Sequence, residues 1–326
     1  MSEPLFRLSF DTVALLRDYP LQLRDPGKQL LLKLAYPEGL PTPATLEVTR
    51  WLAAAVERVT LTGSMKVSIQ PNYYDYRPLI GEEGVEWHVN FADSHLFVAY
   101  GSRLFAQDEM QVAEHPLLGS VREALLSQRL PALTDDVDGP TPILVRNVER
   151  RISVATDINP AEGRPHGLYG NRFSIAPPEV IQRATTRIDP PTFSNMIAMA
   201  APSYGHGAYT EGQIRRIFVT AFTSFAAARA ETPKHLQTVI HSGFWGCGAF
   251  GGNRTVMIAI QSLAAEAAGI SQLVFHGANV SGQVDVEVGL DAARKTRARC
   301  GHNCDLSAIV HDFEQQRFAW GVSDGN

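Results

Sequence analysis

A glycine-rich stretch between an apolar run and an apolar helical pattern constrains the fold of this 326-residue chain most. An apolar run with two polar residues spans 236–240, residues 243–252 contain five glycines, and residues 256–267 carry apolar side chains at helical spacing. The pattern predicts a strand, a loop and a helix. Such a loop directs backbone N–H groups and the positive end of a helix dipole towards one point, which favours a phosphate or diphosphate.

The same stretch has a structural alternative, a turn whose glycines only let the strand lie close to the helix. It contains neither the Gly-Lys-Ser/Thr of a Walker A loop nor the GxGxxG spacing of a dinucleotide-binding loop, which disfavours kinases and dehydrogenases. Apolar side chains at Phe244, Trp245 and Phe250 are candidates for a stacking wall beside a bound ligand.

Short apolar runs alternate with helical patterns along much of the chain. The runs at 85–91, 143–148, 196–201, 236–240 and 273–275 predict strands, and the patterns at 117–130, 213–230 and 256–268 predict helices. This alternation predicts an α/β layered sheet. Ligands of such sheets bind beyond the carboxyl ends of the strands, on loops such as residues 243–252.

The first 66 residues or so have a different pattern, with apolar residues three and four apart at 13–23, 28–34 and 44–59 and prolines between them. This predicts three helices. We therefore expect an N-terminal helical accessory region over residues 1–70, followed by one domain over residues 71–326.

Composition excludes several classes of protein. Hydrophobic residues make up 44% of the chain and the net charge is −5, which disfavours broad nucleic-acid binding. No apolar run has the length of a membrane span, and the N-terminus lacks the pattern of a secretion signal. Three cysteines predict a reducing compartment, the cytoplasm. Cys300, His302, Cys304 and His311 suggest zinc, but their spacing favours reduced cysteines without a metal.

Several motifs together resemble the poly(ADP-ribose) glycohydrolase family, a branch of the macrodomain fold. Trp245–Gly252 resembles the diphosphate loop of that family, and residues 89–93 resemble the end of one of its strands. Residues 107–109 resemble its Gln-Glu-Glu signature, and residues 167–170 resemble a Gly-Tyr loop that closes over the nucleotide. The resemblance implies a macrodomain-like mixed sheet flanked by helices, with an N-terminal helical layer. It also implies ADP-ribose or an ADP-ribosylated substrate as the partner, with these ligand-binding residues: Asp93, Gln107, Tyr169, Gly246, Cys247, Gly248, Ala249, Phe250 and Gly251.

The chain departs from the family at several of these positions. Phe97, Val98 and Ala99 stand where the family has three glycines that wrap the ribose and diphosphate beside the scissile bond. Asp108 replaces the first Glu of the acidic signature, and Asn253 and Phe244 replace an Asp and an Asn. Side chains at 97 and 98 are expected to narrow the ribose side of the cleft.

The acidic pair predicts the chemistry. Cleavage at C1″ of ADP-ribose needs a carboxylic acid to protonate the leaving group and a carboxylate to activate water. By resemblance Glu109 is the catalytic acid/base and Asp108 holds the ribose on the leaving side, with no metal or cofactor. The structural alternative is two acids that cap the following helix. We expect a hydrolase of mono-ADP-ribosylated substrates rather than long polymer; the alternatives are a catalytically silent ADP-ribose or nucleotide-binding module and a hydrolase of a related ligand.

Overall fold

A computed structural model describes residues 3–325 of the chain. Eight of its strands form one mixed sheet in the order β1-β2-β8-β9-β5-β10-β11-β4. The strands are β1 Phe6–Asp11, β2 Thr45–Arg50, β3 Arg58–Thr60, β4 Lys66–Gln70, β5 Gly84–Ala92, β6 Asp135–Asp136, β7 Gly139–Pro140, β8 Ile143–Val154, β9 Thr185–Ala200, β10 Gln237–Ser242, β11 Gln272–His276 and β12 Asn303–Asp305.

The sheet has a parallel half and an antiparallel half. Strands β9, β5, β10, β11 and β4 run parallel, so their carboxyl ends lie along one edge. Strands β1, β2 and β8 continue the sheet antiparallel from β9. The loops that follow the parallel strands therefore meet on one side of the molecule, which is where a ligand site is expected.

Helices cover both faces of the sheet. They are α1 Thr12–Asp18, α2 Pro26–Ala35, α3 Gln107–Glu114, α4 Leu117–Ser127, α5 Pro178–Ala184, α6 Glu211–Glu231, α7 Arg254–Ala267, α8 Val280–Cys300 and α9 Leu306–Gln315. One core includes side chains of β5 and β10 with α6, α7 and α9, and another lies between β2, β8 and α4. A third cluster joins α2 and α5 to Phe105 and Phe173. The predicted α/β fold with a mixed sheet between helices is confirmed.

The prediction of a purely helical region over residues 1–70 is wrong in part. Helices α1 and α2 lie where patterns at 13–23 and 28–34 predicted them, but residues 45–50 form strand β2 instead of a helix. Leu46 and Val48 alternate with polar residues and are fully buried, so a period of two describes this segment better than helical spacing. Strands β1, β2 and β4 all belong to the main sheet, so this region supplies strands as well as helices.

Strands β8 and β9 are also longer than the apolar runs that predicted them. The additional residues of β8 include Glu149, Arg150 and Arg151, which are charged and nevertheless buried. Each has a partner: Arg150 pairs with Glu114 of α3, Glu149 accepts a hydrogen bond from the Tyr36 hydroxyl, and Arg151 donates to Ala35 O. Partners from distant elements thus allow charged residues to continue the strand. Within residues 3–325 no helix has the length and apolar character of a membrane span.

Candidate functional site

A cavity of about 790 Å³ opens at the carboxyl edge of the parallel strands. Its walls come from the residues after β5, the glycine-rich loop after β10, the turn after β11, the start of α3 and the segment around Tyr169. All predicted site residues except Gly251 line this cavity, namely Asp93, Gln107, Asp108, Glu109, Tyr169, Gly246, Cys247, Gly248, Ala249 and Phe250. The structure therefore brings together segments that are far apart in the sequence.

The glycine-rich loop is held by its own turns. The N–H groups of Cys247, Gly251 and Gly252 donate to carbonyls within the loop, whereas those of Gly248, Ala249 and Phe250 lie outside these turns. Gly246 has a φ of 73°, and a Cβ there would lie 2.5 Å from the Cβ of Ala201, so a larger residue does not fit. The backbone in the middle of the loop faces a cavity, as an anion-binding loop requires.

Helix α7 begins directly after this loop. The Asn253 side chain accepts a hydrogen bond from Val256 N and caps the helix, whose positive end therefore lies at the cavity. Gln261, which lies further along α7, donates a hydrogen bond of 3.1 Å to the carbonyl of Gly243 and fixes the start of the glycine-rich loop. Trp245 is completely buried and its indole donates to Met199 O, so it anchors the loop. It also lines the cavity, and its contact with a ligand stays a prediction. Phe244 and Phe250 remain partly exposed at the cavity.

The acidic pair lies in the first turn of α3. The Glu109 carboxylate accepts a hydrogen bond of 3.0 Å from Ala106 N, so it does cap the helix, and it also lines the cavity. The Asp108 carboxylate accepts a hydrogen bond of 3.0 Å from the Asn90 amide on β5. Capping and a role in the cavity, which the sequence presented as alternatives, are compatible in this geometry.

Burial raises the pKa of both acids. For Asp108 the pKa is well above its ordinary value because the side chain is desolvated and because Glu109 adds a second negative charge beside it. The pKa of Glu109 is raised by desolvation, and this rise is opposed by the positive charge of Lys28. A buried carboxyl group with a raised pKa is suited to donate a proton and then take one back.

Gln107 and Asp93 contribute in other ways. The Gln107 amide accepts from Phe91 N at 2.8 Å and donates to Val89 O at 3.1 Å, so both ends of the amide fasten α3 to β5. Asp93 accepts from His95 N and caps the turn after β5 while it lines the cavity. Contact of either side chain with a ligand stays a prediction.

Tyr169 lies at the cavity, where burial raises the pKa of its hydroxyl to about 12. Gly170 N donates to Phe105 O, which ties this segment to the start of α3. Gly251 lies outside the cavity wall and its N–H donates to Gly248 O, while Gly252 lines the cavity instead. Ligand binding by Gly251 remains untested, and its visible role is to shape the loop.

The residues at the three-glycine position adopt an unexpected arrangement. Phe97 has a φ of 51°, in the left-handed region that glycine favours, and its ring is completely buried in the core next to α4. Only Val98 and Ala99 line the cavity. The expectation that Phe97 narrows the cleft is therefore wrong, because its ring points into the core; Val98 is the side chain that occupies this wall.

Sequence reasoning missed several residues of the site. Arg254, the first residue of α7, is the sole Lys or Arg among the described residues that line the cavity, and its guanidinium lies 4.5 Å from the Phe244 ring centroid. A cation directly after a glycine-rich loop was a signal that could have identified it. Tyr73, Tyr74 and Tyr76 also line the cavity, and so do Gly321, Val322 and Asp324 of the C-terminal segment.

Burial raises the pKa of the Cys247 thiol to about 12, so it is a neutral thiol at ordinary pH and a poor nucleophile. Among the described residues, the group of side chains close enough to share a metal is Glu211, His311 and Glu314. It includes none of Cys300, His302 or Cys304, and none of its members lines the cavity.

The fold and the cavity define an α/β protein with a glycine-rich loop and a buried acid pair at the carboxyl edge of its parallel strands. Residues 166–282 match the family model described as poly(ADP-ribose) glycohydrolase, macrodomain fold. This part of the chain is thus similar to the poly(ADP-ribose) glycohydrolase family, and the resemblance inferred from the motifs is confirmed. Residues 89–109 lie outside the matched range, so the roles assigned there stay predictions.

Solved structures similar to this chain include three of bacterial poly(ADP-ribose) glycohydrolases. The enzyme from Thermomonospora curvata is 16% identical, with 87% of this chain and 85% of that chain covered and a TM-score of 0.48. The same enzyme bound to the inhibitor ADP-HPD is 18% identical, with 70% and 79% covered and a TM-score of 0.47. The enzyme from Deinococcus radiodurans in complex with ADP-ribose is 14% identical, with 90% and 94% covered and a TM-score of 0.43. No curated protein shows a significant match.

Proposed function

We propose that this protein is an ADP-ribosyl glycohydrolase that cleaves a glycosidic bond at C1″ of ADP-ribose. The observation that carries the proposal is a single cavity in which a glycine-rich anion loop and the buried pair Asp108 and Glu109 form parts of the same wall. An anion loop alone supports binding, whereas a carboxyl group with a raised pKa in the same cavity supports acid/base chemistry.

In this proposal the diphosphate lies against residues 248–250. Three backbone N–H groups, the positive end of α7 and the Arg254 guanidinium favour negative charge there. Five carboxyl groups also line the cavity, on Asp93, Asp108, Glu109, Glu114 and Asp324. Tight binding of a dianion therefore depends on the loop and Arg254, because most other charged groups of the wall repel it.

The reaction needs one acid that becomes a base. Glu109, protonated, donates its proton to the leaving group as the bond to C1″ breaks and an oxocarbenium-like sugar develops. The resulting carboxylate takes a proton from the water that attacks C1″, which restores the acid. Asp108 faces Asn90 and holds the leaving side of the substrate. This proton exchange requires no Lewis acid, so EDTA is expected to leave the rate unchanged.

We further propose that mono-ADP-ribosylated substrates are preferred to long polymer. Support comes from Val98 and Ala99, which line the cavity at the position where the related family has glycines. Two side chains in that wall leave less room for a second ADP-ribose unit beside the scissile bond.

The test is the release of ADP-ribose from a panel of modified proteins, nucleic acids and small molecules by the wild type and Glu109→Gln. The amide oxygen of glutamine accepts the hydrogen bond from Ala106 N, so the helix cap is kept, but the amide cannot exchange the proton. We expect a rate loss of about 10²- to 10⁴-fold with ADP-ribose affinity changed by only a few-fold. Glu179→Gln, at an exposed position of α5 outside the cavity, is the control.

A fully active Glu109→Gln variant would contradict the catalytic assignment. A wild type that binds ADP-ribose in calorimetry and releases it from no substrate would establish the binding module in its place. Absence of binding at millimolar ADP-ribose would contradict both.

The proposal includes a cytoplasmic location. Cys247, Cys300 and Cys304 are free thiols, as is usual in a reducing compartment. Fractionation of the source cells tests this, and recovery outside the cytoplasm would contradict it.

A further inference from the structure

A buried lysine from the N-terminal part of the chain lies behind the acid pair. Lys28 belongs to α2, where the Asp25 side chain accepts a hydrogen bond from Lys28 N and caps the helix. Lys28, Leu31 and Ala35 share one helical face, at spacings of three and four, and all three are buried. Lys28 is only 2% exposed. A lysine in such a position is costly unless its ammonium has partners.

The partners are carbonyls of the segment between β5 and α3. The Lys28 ammonium donates to Tyr100 O at 2.7 Å and more weakly to Ala99 O at 3.5 Å. Ala99 lines the cavity, so the ammonium holds a segment of the cavity wall from behind. It also lies 6.0 Å from the centroid of Phe105, just before α3.

Other contacts fasten the same segment to the residues before α2. Arg24 N and Asp25 N both donate to Gly101 O, at 2.9 and 3.2 Å, and Gln22 N donates to the Tyr100 hydroxyl. A Cβ on Gly101 would lie 2.3 Å from Gln22 O, so the two backbones are in close contact. Residues 22–28 therefore form a clamp on residues 99–101, and Lys28 is the member whose charged group contacts that segment.

The charge of Lys28 acts on the acid pair. Desolvation lowers the pKa of Lys28 to about 8, and the carboxylates of Glu109, Asp25 and Asp108 oppose this lowering, while the nearby Arg24 adds to it. The same positive charge lowers the pKa of Glu109 and of Asp108 against their burial. Lys28 is not among the residues that line the cavity. Lys28 therefore acts on a ligand indirectly, through residues 99–101 and through the carboxyl groups of Asp108 and Glu109.

We propose that Lys28 is a positioning residue of the active site, which holds residues 99–101 in the cavity wall and supplies the positive charge that balances Glu109 and Asp108. This inference rests on the proposed hydrolase function. It gives the N-terminal region a role in the reaction, because a residue 81 positions before Glu109 sets the electrostatic environment of that acid.

The first test compares the pH dependence of ADP-ribose release by the wild type, Lys28→Met, Lys28→Arg and Lys33→Met. Lys33 is exposed on the same helix, so its replacement controls for loss of a positive charge. Without Lys28 the pKa of Glu109 rises, and the fall in kcat/KM that accompanies its deprotonation moves to higher pH. We expect Lys28→Met to show this shift and a loss in kcat of about tenfold, while Lys28→Arg retains the wild-type profile and Lys33→Met changes neither.

The second test uses the wild-type fold. In protein labelled with ¹³C-glutamate, with Glu109→Gln to assign the resonance, the Glu109 carboxyl signal should show an inflection near pH 8 as Lys28 loses its proton. A flat signal between pH 7 and 9 would overturn the inference, even if Lys28→Met fails to fold. A Lys28→Met variant with a wild-type pH profile and kcat would also overturn it.

The two proposals fail in distinguishable ways. If the wild type releases no ADP-ribose, the proposed function fails, but the Glu109 titration still reports whether Lys28 acts on the acid. If release depends on Glu109 and not on Lys28, only the present inference fails.

Discussion

At the scale of single residues, two adjacent acids have different surroundings although they share one turn of helix. Asp108 faces the amide of Asn90 in the protein interior, whereas Glu109 accepts a hydrogen bond from the backbone at the start of α3. Adjacent positions at a helix start point about 100° apart, so one side chain can face the sheet while the other faces the loop. This geometry gives two identical chemical groups separate roles.

The raised pKa of Asp108 leads to a stability prediction. The folded protein binds this proton more tightly than the unfolded chain, so stability is lost as pH rises from about 4 through the raised pKa. Asp108→Asn removes this loss and keeps an oxygen that accepts from Asn90. We expect a higher melting temperature at pH 8 and little change at pH 4, with about 1.4 kcal/mol gained for each unit of pKa shift removed.

Calorimetric melting at the two pH values tests this prediction. Asp136→Asn is a control for which the change in melting temperature should have the opposite sign. A hydrogen bond from Arg50 lowers the pKa of Asp136, so removing this carboxylate should destabilise the protein at pH 8. Equal effects of Asp108→Asn at both pH values would show that Asp108 is not destabilised by burial.

Arg254 carries the second prediction at this scale. Its guanidinium is at the end of α7 that faces the cavity and pairs with Asp285 at 2.5 Å. Arg254→Met should weaken ADP-ribose binding by about tenfold or more, because a charge-assisted hydrogen bond contributes on the order of 1.5 kcal/mol or more. Isothermal calorimetry measures the change, with Arg294→Met on the exposed surface of α8 as the control. Unchanged affinity would place the diphosphate elsewhere.

The sequence identified residues of this site when a local motif contained them. The glycine-rich loop and residues 107–109 were found in this way, and the structure brings them to one cavity. Lys28 was missed because its helix pattern shows an amphipathic segment but not which distant carbonyls meet its ammonium. Asp324 was missed for the same reason, since its distance from the glycine-rich loop depends on the path of the whole C-terminal segment.

At the scale of elements, short apolar strands and long amphipathic helices were predicted well. Strands β5, β10 and β11 and helices α6 and α7 lie within a few residues of their predicted positions. Strand β2 was mistaken for a helix, and β8 was predicted too short. The first error reads a period of two as helical spacing, whereas the second comes from charged residues whose burial depends on partners in other elements.

The segment after β5 makes a sharp turn with a bulky residue at a position of positive φ. Phe97 adopts the left-handed conformation typical of glycine, and its buried ring compensates for the unfavourable backbone. The side chain that remains at the cavity is Val98, which is 43% exposed. The turn therefore buries the ring of Phe97 and presents the side chain of Val98 to the cavity.

From this surface we predict that Val98→Gly increases the release of ADP-ribose from polymer relative to a mono-ADP-ribosylated substrate by several-fold, because it removes the side chain from the cleft wall. The ratio of the two initial rates is the measurement. Val137→Gly, in an exposed turn away from the cavity, is the control. Rapid degradation of polymer by the wild type, with a ratio that Val98→Gly leaves unchanged, would contradict the proposed substrate preference.

At the scale of the whole molecule, the N-terminal region and the C-terminal segment both reach the site. The first 70 residues supply strands at both edges of the main sheet, β1 and β2 at one and β4 at the other. They also supply the clamp that contains Lys28. At the other end of the chain, Trp320 stacks on Tyr209 with ring centroids 4.5 Å apart and directs the residues that follow it across the glycine-rich loop.

This arrangement places the Asp324 carboxylate beside the part of the glycine-rich loop that we propose binds an anion. A Cβ on Gly248 would lie 3.1 Å from an Asp324 carboxylate oxygen, and Asp324 N is 3.5 Å from Gly248 O. The negative charge of Asp324 also contributes to the raised pKa of Tyr169 across the cavity. A diphosphate that approaches residues 248–250 must therefore meet or displace this side chain.

We predict that Asp324→Asn strengthens ADP-ribose binding by several-fold, because it removes a negative charge that competes with the diphosphate for the same loop. The gain should shrink at high salt, since partly exposed charges are screened. Calorimetry at low and high ionic strength measures both effects, and Asp305→Asn, an exposed acid outside the cavity, is the control. Weaker binding of ADP-ribose by Asp324→Asn would reverse the interpretation, because the carboxylate would then be a group that holds the ligand and the C-terminal segment a part of the binding site.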